Sequence, residues 1–185
     1  MSRKNIFAII GSASENSSNL KLVRLFAEQN PELEVIVFEG LRQLPHFSPT
    51  LSIEDTPSEV LQFRQSIDDA DAILISTPEY VFSVPSGLKN AIEWCVSTTV
   101  FSGKPAGLIT GSAHGQKGHE ELQLIMKTVD AKFTEETCLL IQGIKGKINE
   151  DGRITDSKTS EEFERFCKAF GELVNSSANS ETVNI

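Results

Sequence analysis

The sequence predicts an α/β fold in which a five-stranded parallel sheet of order 2-1-3-4-5 carries helices on both faces. Three observations lead there. Strand-like and helix-like segments alternate from one end to the other, the pattern of parallel strands joined by crossover helices. The strand-like segments are continuous apolar runs, as expected where both faces are buried. The chain has 185 residues with no linker and no internal repeat, so the units fill one domain. Right-handed crossovers leave few topologies, and 2-1-3-4-5 is the doubly wound order that five strands in this length fit.

Each element follows in order. Asn5 to Ile10 reads as the first strand, closed by Gly11. Leu20, Val23 and Ala27 then recur at helical spacing, and Glu34 to Phe38 reads as the second strand. Gly40 to Pro57 holds three prolines and no period, so it reads as an irregular loop. Val60, Phe63 and Ile67 mark a helix, with Thr56 or Ser58 as its cap. Asp71 to Thr77 is the third strand. Leu88, Ala91, Ile92 and Cys95 follow as a helical stripe with Pro85 near its start. Lys104 to Thr110 is the fourth strand, and Leu122, Ile125, Met126 and Val129 repeat the helical spacing. Phe133 to Ile141 is the fifth strand, and Phe163, Phe166, Cys167, Phe170 and Val174 give the last helix. Residues 1–175 thus form a single domain, a flavodoxin-like three-layer sandwich, and the Ser/Asn-rich residues 176–185 read as a flexible tail.

Composition excludes several function classes. The formal net charge is −9, which argues against nucleic acid and against anionic membranes as partners. No apolar run is long enough to cross a bilayer, and the polar start lacks the features of a signal peptide. A cytoplasmic location is expected. Cys95, Cys138 and Cys167 lie far apart among apolar residues, so they read as reduced core thiols without metal-ligand spacing.

In such a sheet, ligands bind beyond the carboxyl ends of the strands. Three unusual segments leave that edge. The first, Gly11 to Asn19, holds four serines (Ser12, Ser14, Ser17 and Ser18) and two asparagines, then enters a helix. Hydroxyls and backbone N–H groups at a helix start suit a phosphate, and the alternative is an ordinary capped loop. It is neither a Walker loop nor a G-x-G-x-x-G turn. The second segment, Thr77 to Gly87, places Tyr80 and Phe82 in a turn, where a flat ring would account for them. The alternative is that Phe82 and Val84 pack on the following helix. The third, Gly111 to Gly118, is glycine-rich, and His114 within it reads most simply as a solvated histidine. Trp94 lies one residue off its helical stripe, facing a partner subunit or capping the core edge. Lys89 and Glu93 stand at i, i+4 as an ion pair. No hydrolase constellation is present in the sequence, so an enzyme here would rely on a cofactor.

These residues resemble a known family. The pattern Gly11-Ser12 … Ser17-x-Asn19 is similar to the phosphate loop of NAD(P)H-dependent FMN reductases. The run Pro78-Glu79-Tyr80, continuing through Ser83-x-Pro85-x-Gly87-Leu88-Lys89-Asn90-Ala91-Ile92-Glu93-Trp94, resembles that family's most distinctive motif. The resemblance implies FMN as cofactor, NADPH or NADH as co-substrate, and a quinone, azo compound, similar small-molecule acceptor or free flavin as the destination of two electrons. It implies that Ser12, Ser14, Ser17, Ser18 and Asn19 bind the phosphate. It further implies that Pro78, Glu79, Tyr80 and Val81 contact the isoalloxazine ring, and that Ser112, His114 and Gly115 flank it. It assigns no catalytic side chain and no metal. It also implies a homodimer or dimer of dimers, with Glu93 and Trp94 between subunits. Three positions depart from the family pattern: Ser14 stands for an arginine, Val81 for an asparagine and His114 for a glycine. They bear on FMN affinity and acceptor choice. The competing readings are a non-enzymatic flavodoxin-like electron carrier and a flavin-free, partner-binding protein.

Overall fold

The computed structural model describes residues 3–14 and 17–177. Its strands are β1 (Lys4–Ile10), β2 (Leu33–Phe38), β3 (Ala72–Thr77), β4 (Ala106–Ser112) and β5 (Cys138–Gln142). They form one sheet, parallel throughout, in the order β2-β1-β3-β4-β5. The helices are α1 (Ser18–Gln29), α2 (Ser58–Asp68), α3 (Ser86–Glu93), α4 (Gln116–Thr128) and α5 (Ser157–Ser177). Among the described residues no helix is long and apolar enough to cross a membrane.

Alternation along each strand sorts the core into two halves. Ile6, Ala8 and Ile10 of β1 meet Phe26 of α1 and Phe163, Phe166 and Phe170 of α5. Phe7 and Ile9 meet Phe63 of α2, Leu88 of α3 and Met126 of α4 on the other face. Residues Ile6 to Ile10 are each at most 4% exposed, which is why the run carries no polar residue. Each buried Ile or Phe side chain among them contributes about 1.5–3 kcal/mol. Because β1 feeds α1 on one face and β3 feeds α3 on the other, their connections diverge and leave a crevice at the carboxyl edge.

Four local expectations change. The irregular loop contains a 3-10 turn at Gly40–Gln43 that buries Leu41. Neither Thr56 nor Ser58 caps α2; Pro57 occupies the cap position, and the Thr56 hydroxyl instead donates to the Leu51 carbonyl at 2.8 Å. The fifth strand starts at Cys138, five residues past Phe133, because Glu135–Thr137 form a 3-10 turn closed by reciprocal bonds between Thr134 and Thr137. Lys132, one residue before the expected strand, forms an isolated parallel bridge with Pro105, so only the later part of that strand, from Cys138, joins the sheet. The last helix continues through Ser177, and the rest of the expected tail lies outside the described residues.

Trp94 is corrected as well. It is fully buried within its own subunit. Its Nε1 donates to the Pro45 carbonyl at 2.7 Å, and Phe47 meets its ring edge-on at 5.4 Å. The loop before α2 closes over it, so this residue caps the core edge and does not sit between subunits. Neighbouring Glu93 stays half-exposed and pairs with Lys89 at 3.4 Å, as the spacing predicts. The three cysteines are free, and burial pushes each thiol up to about 12.

Candidate functional site

The three unusual segments lie side by side at the carboxyl edge. The ends of β1 and β3 touch there: the Gly11 N–H donates to the Ser76 carbonyl at 2.9 Å. A Cβ on Gly11 would lie 2.1 Å from Thr77 Oγ1, so only glycine allows this approach.

In the first loop, Ser17 is the cap of α1 and its hydroxyl accepts from the Leu20 N–H at 3.1 Å. The N–H groups of Ser18 and Asn19 come before the first helical bond and point out of the helix end. Ser12 is half-buried and its hydroxyl accepts from the Ser14 N–H at 3.2 Å, which folds the loop back on itself. Ser14 is exposed. The Asn19 side chain turns the other way. It is 3% exposed; its Nδ2 donates to the Gly111 carbonyl at 2.9 Å, and its Oδ1 accepts from Ser76 Oγ at 3.1 Å and the Gly111 N–H at 3.2 Å. This amide fastens the start of α1 across β3 and β4, so only the backbone of Asn19 faces the loop.

The second loop carries a tight turn. The Tyr80 N–H donates to the Ser83 carbonyl at 2.9 Å and the Ser83 N–H to the Tyr80 carbonyl at 3.1 Å. Val81 has φ 52° and Phe82 φ 59°, both left-handed. This is type I′ geometry, which asparagine and glycine normally occupy. Val81 is 95% exposed, Phe82 73% and Tyr80 45%, so the tip presents apolar surface on a strained backbone. Val84 does pack inward, as one alternative held, while Phe82 does not. Pro78 is buried beneath the turn.

Two carboxylates fix this turn. Glu79 Oε1 accepts from the Gly115 N–H at 3.2 Å and Oε2 from the Gly118 N–H at 2.8 Å, capping α4 from another loop. Glu121 reaches back from α4, where its Oε2 accepts from Ser83 Oγ at 2.6 Å and the Val84 N–H at 2.8 Å. A Cβ on Gly118 would lie 3.1 Å from the Glu79 side chain, so glycine gives the carboxylate its access. The sequence offered no sign of Glu121, one acid among 26.

In the third segment, Gly111 and Ser112 belong to β4, and the Ser112 hydroxyl lies 3.5 Å from the Glu79 carbonyl. His114 is exposed, and Gly115 takes φ 84° to open α4. The buried histidine is His119, whose Nδ1 lies 2.9 Å from Thr110 Oγ1; burial lowers its pKa against a smaller opposing pull from Glu120.

Between the first and second loops lies a cavity of about 390 Å³ lined by Gly11–Ser14, Leu41, Arg42, Tyr80 and Ser86. Arg42, placed by the sequence in a featureless loop, donates to the Ala13 carbonyl. A larger polar cavity of about 570 Å³ opens near Lys4, Asp71 and Lys104 at the amino edge. Open parallel sheets take ligands at the carboxyl edge, so the smaller cavity and its three loops form the candidate site.

Comparison with known proteins identifies the family. The NADPH-dependent FMN reductase family model matches residues 4–144, which include all three loops. An NADPH:quinone oxidoreductase of Arabidopsis thaliana is 31% identical over 166 residues, covering 84% of this chain and 84% of that protein. A 2-hydroxy-1,4-benzoquinone reductase of Burkholderia sp is 29% identical, covering 91% and 95%. Among solved structures, the flavoenzyme NAD(P)H:(acceptor) oxidoreductase FerB of Paracoccus denitrificans superimposes with a TM-score of 0.76 at 27% identity, covering 94% and 98%.

Proposed function

The chain belongs to the NADPH-dependent FMN reductase family, and on that premise we propose that it binds FMN where β1, β3 and β4 end and reduces small acceptors with NADPH or NADH. Quinones, azo compounds, similar acceptors and free flavin are the acceptor class. The observation that carries this reading is the three-loop edge itself. It pairs a serine-rich, open helix start, fastened to β3 and β4 by Asn19, with an exposed turn that two carboxylates tie to α4.

The residues present fit the cofactor. Gly11 leaves no Cβ between the loop and Thr77, and the hydroxyls of Ser12 and Ser14 with the N–H groups of Ser18 and Asn19 suit a phosphate. Tyr80 and Val81 offer apolar surface and backbone groups to a flat ring, and Ser112, His114 and Gly115, at the end of β4 and the start of α4, are the residues assigned to flank it. FMN, when bound, supplies the two-electron chemistry between nicotinamide and acceptor. The chain's own part is to bind and orient. Glu79 acts as a positioning residue: it holds the second loop to the start of α4, and so sets the spacing of the groups on either side of the ring. No side chain is assigned an acid or base role.

A homodimer or dimer of dimers belongs to the same reading. It is supported by apolar residues left exposed beside α3 and on α4, Val96 at 64% and Leu124 at 66%. A cytoplasmic location rests on the sequence.

The test is a visible absorption titration of the purified protein with FMN, followed by NADPH without oxygen. Flavin bands that shift on binding and bleach with NADPH are expected. Absence of FMN binding would overturn the reading and favour the partner-binding alternative, while binding without bleaching would favour the electron carrier.

A further inference from the structure

A phosphate monoester is close to a dianion at neutral pH. The loop assigned to it, residues 11–19, contains no lysine or arginine but does contain Glu15, in a chain of net charge −9. Neutral donors alone would have to hold two negative charges within an acidic protein. The structure brings a cation to this loop from elsewhere in the chain. Among the residues lining the cavity beside the loop, Arg42 is the sole cation. It is carried on the 3-10 turn Gly40–Gln43, which Leu41 anchors at 8% exposure. One of its guanidinium N–H groups goes to the Ala13 carbonyl, inside the loop itself. A guanidinium has five donors in a rigid fork, so most remain available. Glu39 lines the same cavity, yet among the described residues no carboxylate lies within ion-pair distance of Arg42.

We propose that Arg42 supplies the cation of the phosphate subsite, from a different connection than the loop that cradles the group. Its free N–H groups bind the FMN phosphate, and its bond to the Ala13 carbonyl holds the loop in its folded-back form. This explains how Ser14 is tolerated within the loop: the charge enters from the end of β2 instead. The proposal rests on the flavin reading above.

The test compares FMN with riboflavin, which has the same ring and no phosphate, by quenching of flavin fluorescence. Arg42→Ala is expected to weaken FMN binding by about tenfold or more and to change riboflavin binding by less than about twofold. Arg42→Gln keeps a donor for the Ala13 carbonyl but removes the charge, and is expected to lose FMN affinity selectively as well. Arg42→Lys is expected to fall between Arg42→Gln and the unaltered protein. The selective loss should shrink as salt is added. Thermal melts of the flavin-free variants check that the fold is intact. Equal losses for FMN and riboflavin would overturn the proposal, because Arg42 would then only shape the loop. So would an unchanged FMN-to-riboflavin ratio, or a raised KM for NADPH with FMN affinity intact, which would assign Arg42 to the dinucleotide. In each of those cases the flavin reading stands. Failure of the unaltered protein to bind either flavin would overturn both.

Discussion

Val81→Asn is expected to stabilise the flavin-free protein. Val81 sits at φ 52°, where its branched Cβ crowds the following carbonyl. That conformation costs an ordinary residue about 1–2 kcal/mol, and a β-branched one stands at the upper end. The side chain is 95% exposed, so replacing it removes almost no packing. Asparagine tolerates the left-handed region through local hydrogen bonding and recovers most of this cost, about 1 kcal/mol net. For a chain of this size that corresponds to a rise of about 2–4 °C in melting temperature. Val81→Ala keeps a strained Cβ but loses the branch, and should raise the melting temperature by less than Val81→Asn does. Val81→Gly relieves the strain but loses about 0.5–1 kcal/mol to unfolded-state freedom, so it should fall between them. The assay is a thermal melt of the three variants beside the unaltered protein. A Val81→Asn variant that melts no higher than Val81→Ala would refute the strain argument.

Three further outcomes follow from the same geometry. Glu79→Ala removes the acceptor for two N–H groups at the start of α4 and should cost about 2–3 kcal/mol, read as a lower urea midpoint; Glu79→Gln, which keeps one neutral acceptor, should cost less. Asn19→Ala leaves both backbone groups of Gly111 and the Ser76 hydroxyl without their partner and should cost about 3 kcal/mol in urea; an unchanged midpoint with weakened flavin binding would show that the amide serves the ligand instead. Burial holds the His119 pKa below its ordinary 6.5, so its contribution to stability is complete above that value and is lost as pH falls through the folded pKa. His119→Gln should therefore flatten the fall in melting temperature between about pH 7.5 and 5.5, and an unaltered slope would contradict the assignment.

The sheet was legible because two-sided burial writes itself as unbroken apolar runs, and Ile6 to Ile10 is the clearest of them. Where the signal failed, a local polar bond had taken over. Phe133 to Ile141 reads as one strand by hydropathy, but Thr134 and Thr137 exchange bonds and turn the chain into a 3-10 step. The loop from Gly40 to Pro57 hides its order for a different reason. Leu41 and Leu44 are buried singly by contacts with distant helices, and single buried residues have no period to detect. Trp94 belongs with them, since the Pro45 carbonyl that satisfies its indole lies 49 residues away in sequence.

The site was legible as three loops and opaque as a set of partners. Composition placed serines, aromatics and glycines at the carboxyl edge, but the bonds that tie one segment to another join residues 29 to 92 positions apart. Neighbours in the motif do opposite things: Glu79 turns inward to tie two connections together, while Tyr80, Val81 and Phe82 turn outward. The inward tie makes the outward strain tolerable. Glu79 and Glu121 together accept four hydrogen bonds across the turn and the start of α4, each worth about 1 kcal/mol or more. Against that, the left-handed pair at Val81 and Phe82 costs about 2–4 kcal/mol. The clamp and the strain are thus of the same size, and the turn keeps its form because the carboxylates over-determine it. Valine at position 81 is therefore affordable without loss of the turn, and its consequence is confined to the exposed tip where a ring or an acceptor would be met.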